Sequence, residues 1–103
     1  MSVETQLTVS LLTLLGHHKM KISIEYIPTH ENMDYAELLE IDIIQRLSKL
    51  DSLHLITENA PELVINTEDV FEVKADDNTI FDKQTLGRLP NGQEVVDYII
   101  NNS

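Results

Sequence analysis

Residues 21–50 read KISIEYIPTHENMDYAELLEIDIIQRLSKL and carry the clearest structural signal in the chain. Ile22, Ile24 and Tyr26 alternate with polar residues, a period of two that is typical of a β-strand with one buried face. Pro28 lacks the N–H group that a β-ladder needs, so strand pairing should end there. The pattern predicts a strand over residues 21–27 and a loop over residues 28–33.

A long helix is expected after this loop. Asp34 and Glu37 have the spacing of a capping box, which places carboxylates near the positive end of the helix dipole. The helix should extend to about Leu50. Its apolar residues predict a broad face that packs on a sheet. They are Leu38, Ile41, Ile44 and Leu47, with Leu39, Ile43 and Leu50 beside them.

The rest of the chain predicts further strands and a final helix. A second strand is expected at 53–56, a short buried segment at 63–65, and a hairpin at 71–81 that turns at Asp76–Asp77–Asn78. An irregular connector over 83–90 contains Gly87, which can take a positive φ. Asn91 can cap a helix whose inward side chains would be Val95, Val96, Ile99 and Ile100. The order (α)–β–α–β–β–β–α predicts a layered α/β fold, or α+β sandwich.

The first 19 residues form an apolar extension ahead of a domain over residues 20–103. The spacing of Leu7, Leu11 and Leu15, with Leu14 beside them, favours a short amphipathic helix, although alternation around Val9 leaves a strand open. An apolar extension on a small domain must pack on its own core or on another copy. We expect a homo-oligomer through residues 1–19, with Leu7, Leu11, Leu14 and Leu15 as the contact residues.

Composition excludes several classes of function. The chain has 103 residues, 18 acidic against 7 basic side chains and a net charge of −11, which argues against binding nucleic acid. The absence of cysteine excludes a thiol nucleophile and thiolate metal sites. The apolar run at 7–15 is about half the length of a membrane span. Glu4 precedes this run without a basic residue, so a secretory signal is not expected. We therefore expect a cytoplasmic protein with no membrane partner.

Few residues qualify as candidates for chemistry. His30 could act as a general base or as one metal ligand, but a solvated loop histidine is the simpler interpretation. His17 and His18 are adjacent, which is poor geometry for two ligands of one metal. Asp76–Asp77–Asn78 is better explained as a turn than as a calcium loop. We expect no enzyme activity, no metal and no cofactor. A histidine-dependent metal-binding protein or enzyme, and an acidic decoy of a basic nucleic-acid-binding protein, remain alternatives.

The segments IEY at 24–26 and FEVKADDNTIFDKQTLGRLPNGQEVVDYI at 71–99 together resemble the Rdx family, the selenoprotein W-like proteins. The resemblance covers residues 20–100 and implies a thioredoxin-like fold. Members of this family usually carry Cys-x-x-Cys or Cys-x-x-selenocysteine where the first strand meets the helix. The resemblance assigns those four positions to Ile27, Pro28, Thr29 and His30.

This departure from the family motif determines the expected function. Thiol–disulfide exchange needs an attacking thiolate and a second, resolving sulfur, and neither Ile27 nor His30 can supply one. The resemblance thus implies an inherited fold without the inherited thiol chemistry. We expect a redox-inactive interaction module whose protein partner binds at the Ile27–His30 loop.

Overall fold

The computed structural model describes residues 19–57 and 60–103. The chain forms strand β1 (Ile22–Tyr26), helix α1 (His30–Lys49), a 3₁₀ turn (Leu53–Leu55) and strand β2 (Glu62–Ile65). Strand β3 (Phe71–Ala75), strand β4 (Asn78–Asp82), the single-turn helix α2 (Lys83–Leu86) and helix α3 (Gly92–Asn102) follow. The predicted α/β fold with a strand, a long helix, three strands and a final helix is confirmed, but the second strand is Glu62–Ile65 and not 53–56. The segment at 63–65, predicted to be buried, lies in this strand, and its Ile65 is exposed.

The four strands form one mixed sheet in the order β2–β1–β3–β4. Strand β1 is central, parallel to β2 and antiparallel to β3, and β3 pairs with β4 as an antiparallel hairpin. Asp76 and Asp77 both have positive φ, which is the geometry of a tight two-residue hairpin turn. The hairpin predicted from sequence is confirmed, with strand pairing that resumes at Asn78.

Helices α1 and α3 cover the same face of the sheet. Tyr35 of α1 meets Phe71 of β3 edge to face, and Tyr98 of α3 meets Phe81 of β4 in the same way. The core between them consists of buried apolar side chains. It comprises Met20, Ile22, Ile24, Tyr26, Ala36, Leu39, Ile43, Leu47, Ile56, Phe71, Val73, Ala75, Val95, Val96 and Ile99.

Three local predictions are wrong. Helix α1 begins at His30 instead of Asp34, because Thr29 caps it. The apolar run after Ser52 forms a 3₁₀ turn instead of a strand, and only Ile56 makes an isolated parallel bridge, to Met20. The connector after Asp82 begins with the short helix α2, which Asp82 caps through Thr85 N–H. Gly87 does take the predicted positive φ.

The apolar faces of the two main helices are narrower than predicted. Leu38 and Ile41 of α1, Leu50 directly after α1 and Ile100 of α3 are exposed to solvent. Leu39, which the pattern placed beside the main stripe, is buried. The periodicity identified the helices correctly but not the angular width of the stripe that the sheet covers.

The N-terminal predictions fall outside the described residues. Leu7, Leu11, Leu14 and Leu15 all precede Lys19, where the description begins. Within residues 19–57 and 60–103, no helix has the length and apolar character needed to cross a membrane.

Candidate functional site

The candidate site is the junction between strand β1 and helix α1. The Ile27 N–H donates to the carbonyl oxygen of Val70 at 3.1 Å, the last antiparallel contact of the strand. Pro28 has no N–H to continue the ladder. Thr29 takes extended φ and ψ angles and His30 begins the helix, so only three residues separate the two elements.

Side-chain and backbone hydrogen bonds fix the shape of this junction. The Thr29 hydroxyl accepts from the backbone N–H of Asn32 at 3.1 Å, which is a helix N-cap. The Ile27 carbonyl oxygen accepts two bonds, from the Thr29 N–H at 2.8 Å and from the Asn32 side-chain amide at 3.1 Å. The turn is therefore held by its own residues.

The four motif-position residues differ in exposure. Ile27 is half-buried, whereas Pro28, Thr29 and His30 are exposed. The His30 side chain is 94% exposed, and its Nε2 lies 3.6 Å from a carboxylate oxygen of Asp34 one turn later. An imidazole in this position can donate to or accept from a bound molecule, but it lacks the enclosure that a catalytic base usually has.

The alternative of a histidine metal site gains no further ligand within residues 19–57 and 60–103. In the part of the chain that the structure describes, no three His, Asp or Glu side chains converge as metal ligands. His17 and His18 lie outside the described residues. His54 lines a different groove, together with Lys19 and Ile44.

An aromatic cluster packs next to the junction, at the end of β1. The ring of Phe71, which is 1% exposed, stacks on Tyr26 at 5.9 Å and meets Tyr35 edge to face at 5.6 Å. The Tyr35 hydroxyl donates to the carbonyl oxygen of Pro90 at 2.7 Å. Burial raises the pKa of the Tyr35 hydroxyl above its ordinary value, and the nearby Glu94 carboxylate adds to this effect. The cluster ties β1, β3, α1 and the loop before α3 together at this end of the sheet.

Two exposed apolar side chains lie at the same end of the fold. Ile65 of β2 is 65% exposed and stands opposite Tyr26 in the parallel register. Met33 is 42% exposed, and its backbone N–H bonds to the Thr29 carbonyl oxygen in the first turn of α1. Ile65, Met33 and the half-buried Ile27 are thus apolar side chains at the end of the sheet where the junction lies.

A separate cavity of about 440 Å³ opens beside β3. Val70, whose carbonyl receives the Ile27 N–H, is part of its wall, but none of the four motif-position residues lines it. The wall carries Asp69, Glu72 and Asp82 together with Lys83. The lining of this cavity mixes polar and apolar groups and contains charges of both signs.

Sequence reasoning placed the end of β1 correctly near Pro28 but began α1 four residues too late, and it missed the contacts that support the junction. Asn32 gave no recognisable signal, because the capping prediction centred on Asp34 and Glu37. Tyr35 and Pro90 lie 55 residues apart in the chain. The one local signal available was Thr29 itself. A threonine hydroxyl directly before a helix can accept the backbone N–H three residues later.

This architecture, a central β1 that runs into α1 with two helices on one face of a mixed sheet, defines a thioredoxin-like α/β protein. Residues 21–101 match the Rdx family, and the chain belongs to that family. A crystal structure of a selenoprotein W-related protein from Vibrio cholerae superposes with a TM-score of 0.65 at 18% identity. The match covers 82% of this chain and 96% of that one, and at this identity it shows the shared fold. No curated protein matches the chain.

Proposed function

We propose that this protein is a redox-inactive member of its family that acts as an interaction module, with the Ile27–His30 loop as its docking surface. The observation that carries the proposal is an ordered strand-to-helix junction in a chain with no cysteine. Thiolate chemistry requires sulfur. The chain has kept the scaffold without the atoms that would exchange electrons.

The local geometry supports recognition of a polypeptide. Pro28, Thr29 and His30 are exposed and held in one conformation by the bonds to the Ile27 carbonyl. A pre-ordered loop loses little conformational entropy when a partner binds. Ile27, Met33 and Ile65 offer apolar area for burial, while His30 offers a polar contact. Protein interfaces typically combine apolar and polar contacts in this way.

The test compares three purified full-length baits in extract of the native cell. Ile27→Asp places a charge in the docking surface. Leu50→Asp is the matched control, because Leu50 is 54% exposed at the opposite end of α1, about 30 Å along the helix. We expect a protein that wild type and Leu50→Asp capture equally and that Ile27→Asp captures at least about tenfold less.

Direct binding of that captured protein, after its purification, must follow the same order. Equal capture by all three baits would place the docking surface elsewhere. A second assay addresses the redox part of the proposal. Wild-type protein should not reduce insulin disulfides in the presence of a thiol-free electron donor, and reduction above the blank would refute redox inactivity.

The proposal includes self-association and location. We propose that residues 1–19 contribute a contact between copies through Leu7, Leu11, Leu14 and Leu15, because a leucine-rich segment needs an apolar surface to cover it. We also propose a cytoplasmic location.

A further inference from the structure

The outer face of helix α1 is apolar at its centre although it points away from the core. Leu38 is 64% exposed and Ile41 is 49% exposed. Residues three apart on a helix are neighbours on its surface. The adjacent Leu39 and the following Ile43 are buried, so this outward pair is additional to the stripe that packs on the sheet.

A groove of about 370 Å³ lies beside this pair, between α1 and the start of α3. Leu39 and Gly92 are buried within it, and the absence of a side chain at Gly92 lets α3 approach the Asp42 carboxylate of α1. Its lining consists of Tyr35, Leu38, Leu39, Ile41, Asp42, Gln45, Asn91 and Gly92. The pair therefore borders a concave surface into which an apolar side chain can insert.

The rim of this surface is anionic. Asp34 and Glu37 lie one turn before Leu38 and Ile41 on the same side of α1, and both are exposed, as is Glu31. Between residues 30 and 45 the helix has no Lys or Arg. The nearest cation further along, Arg46, already bonds to Asp42 at 3.0 Å and to Gln93 at 2.6 Å.

We propose that this surface, named here the α1 outer face (Leu38, Ile41 and the groove beside them, with the rim carboxylates), binds a cationic polypeptide segment that inserts apolar side chains. Burial of apolar area supplies affinity, and complementary charge supplies orientation and partner choice. A second copy of this chain is a poor occupant. A two-fold interface would place the same carboxylates against each other in a protein of net charge −11.

The apolar centre of the α1 outer face is separate from the Ile27–His30 loop, although the rim carboxylate of Asp34 lies 3.6 Å from His30 Nε2. Leu38 lies eight residues after His30, about 12 Å along the helix axis. The loop can fail as a docking surface while the outer face binds, and the reverse also holds.

The test is calorimetric titration of full-length protein with two synthetic helical peptides of about 18 residues, or about five turns. One peptide carries Leu along one face of its helix and Lys at all other positions. The second keeps every Leu and replaces Lys by Glu. We expect stoichiometric binding of the cationic peptide only, weakened when salt is raised from about 0.1 M to about 1 M, where the screening length falls from about 10 Å to about 3 Å.

Two variants distinguish this surface from general attraction to an acidic protein. Leu38→Gln/Ile41→Gln removes the apolar centre at exposed positions and leaves the net charge unchanged, so binding should weaken about tenfold or more. Asp34→Asn/Glu37→Gln removes two rim charges and should weaken binding more than Glu68→Gln/Asp69→Asn, which removes two charges from an exposed loop elsewhere.

Equal weakening by the two charge-neutralised variants, or wild-type affinity in the leucine–isoleucine variant, would overturn the proposal. Light scattering tests whether a second copy of this chain occupies the surface instead. A dimer of wild-type protein that becomes monomeric in Leu38→Gln/Ile41→Gln would assign the α1 outer face to self-association and would also overturn it. Unchanged circular dichroism and thermal midpoint in each variant establish that the fold is retained.

Discussion

The side-chain amide of Asn32 donates a 3.1 Å hydrogen bond to the backbone carbonyl oxygen of Ile27. The bond joins the first turn of α1 to the residue that follows β1. The same carbonyl accepts the N–H of Thr29, whose hydroxyl in turn accepts the backbone N–H of Asn32. Three residues thus form a closed set of contacts, and the junction keeps its shape without a disulfide.

Removal of the Thr29 hydroxyl should destabilise the protein and loosen the junction. Thr29→Ala leaves the Asn32 N–H without its cap, and we expect the free energy of unfolding to fall by about 1 kcal/mol. Thr29→Ser is the control, because it keeps the accepting oxygen. Urea denaturation measures the loss, and hydrogen exchange at the Asn32 amide should be faster in Thr29→Ala alone. Equal stability of the two variants would contradict the capping role.

The sequence predicted the parts of the fold in which local chemistry agrees with tertiary context. Strand β1 follows from strict alternation, the hairpin from alternation on both sides of Asp76–Asp77–Asn78, and the start of α3 from Asn91 as its cap. The structure adds the positive φ of the two aspartates and a capping box between Asn91 and Glu94. The start of α1 was misplaced because two local signals compete. Asp34 and Glu37 have capping spacing, but Thr29 makes the cap.

Other features could not be predicted because they depend on which surfaces the sheet covers. The run at 53–56 has strand-like composition, yet only Ile56 reaches a strand partner. A short apolar run does not by itself distinguish these outcomes. The support of the candidate site is also non-local, since the Tyr35 hydroxyl bonds to Pro90 across 55 residues. The resemblance identified the family, whereas the sequence alone did not reveal that Leu38 and Ile41 face solvent.

Deletion of residues 1–19 should reduce the mass measured by light scattering by more than the mass of the deleted residues. The expected reason is loss of the leucine-rich contact between copies, since burial of a leucine side chain is worth about 1.5–3 kcal/mol. A full-length variant with Leu7, Leu11, Leu14 and Leu15 replaced by Ser is the control for chain length and should behave like the deletion. If full-length and truncated proteins are both monomers over the measured concentrations, self-association through this segment is wrong.

Glu25 should make stability depend on pH in the acid range. Its carboxylate accepts from Lys74 Nζ at 3.0 Å and from the Asn66 side-chain amide at 3.2 Å. The Lys74 hydrogen bond is the largest cause that lowers the pKa of Glu25 below its ordinary value of 4.5, against the opposing effect of burial. A carboxylate with a lowered folded-state pKa stabilises the fold above its unfolded pKa, and this stabilisation is lost as pH falls through the folded value.

Glu25→Gln should therefore lower the free energy of unfolding by about 1 kcal/mol near pH 7, which is the upper end for a partly exposed ion pair. The loss should be smaller near pH 3. Urea denaturation of both proteins between these limits measures the difference. Glu37→Gln, which removes an exposed carboxylate of α1, is the control for the loss of one negative charge. A Glu25→Gln deficit that is constant with pH would mean that the charge of Glu25 does not contribute.

Glycine should be required at position 92 for full stability only while Asp42 is present. A Cβ atom at Gly92 would overlap the Asp42 carboxylate, which Arg46 Nε holds at 3.0 Å. Gly92→Ala gains about 0.4–1 kcal/mol by restricting the unfolded chain, but it must displace that carboxylate, which is 41% exposed and can rotate away only by giving up its contact with Arg46. We therefore expect a small net loss, under about 1 kcal/mol, in the wild-type background.

The same substitution should be neutral or stabilising in an Asp42→Ala background, because the obstructing carboxylate is gone while the gain from restricting the unfolded chain remains. A double-mutant cycle of unfolding free energies measures this coupling. Gln93→Ala serves as the control for the neighbouring Arg46 contact and should show no such reversal of sign with Asp42→Ala. If Gly92→Ala costs the same in both backgrounds, the constraint at Gly92 arises from the backbone and not from the approach of α3 to Asp42.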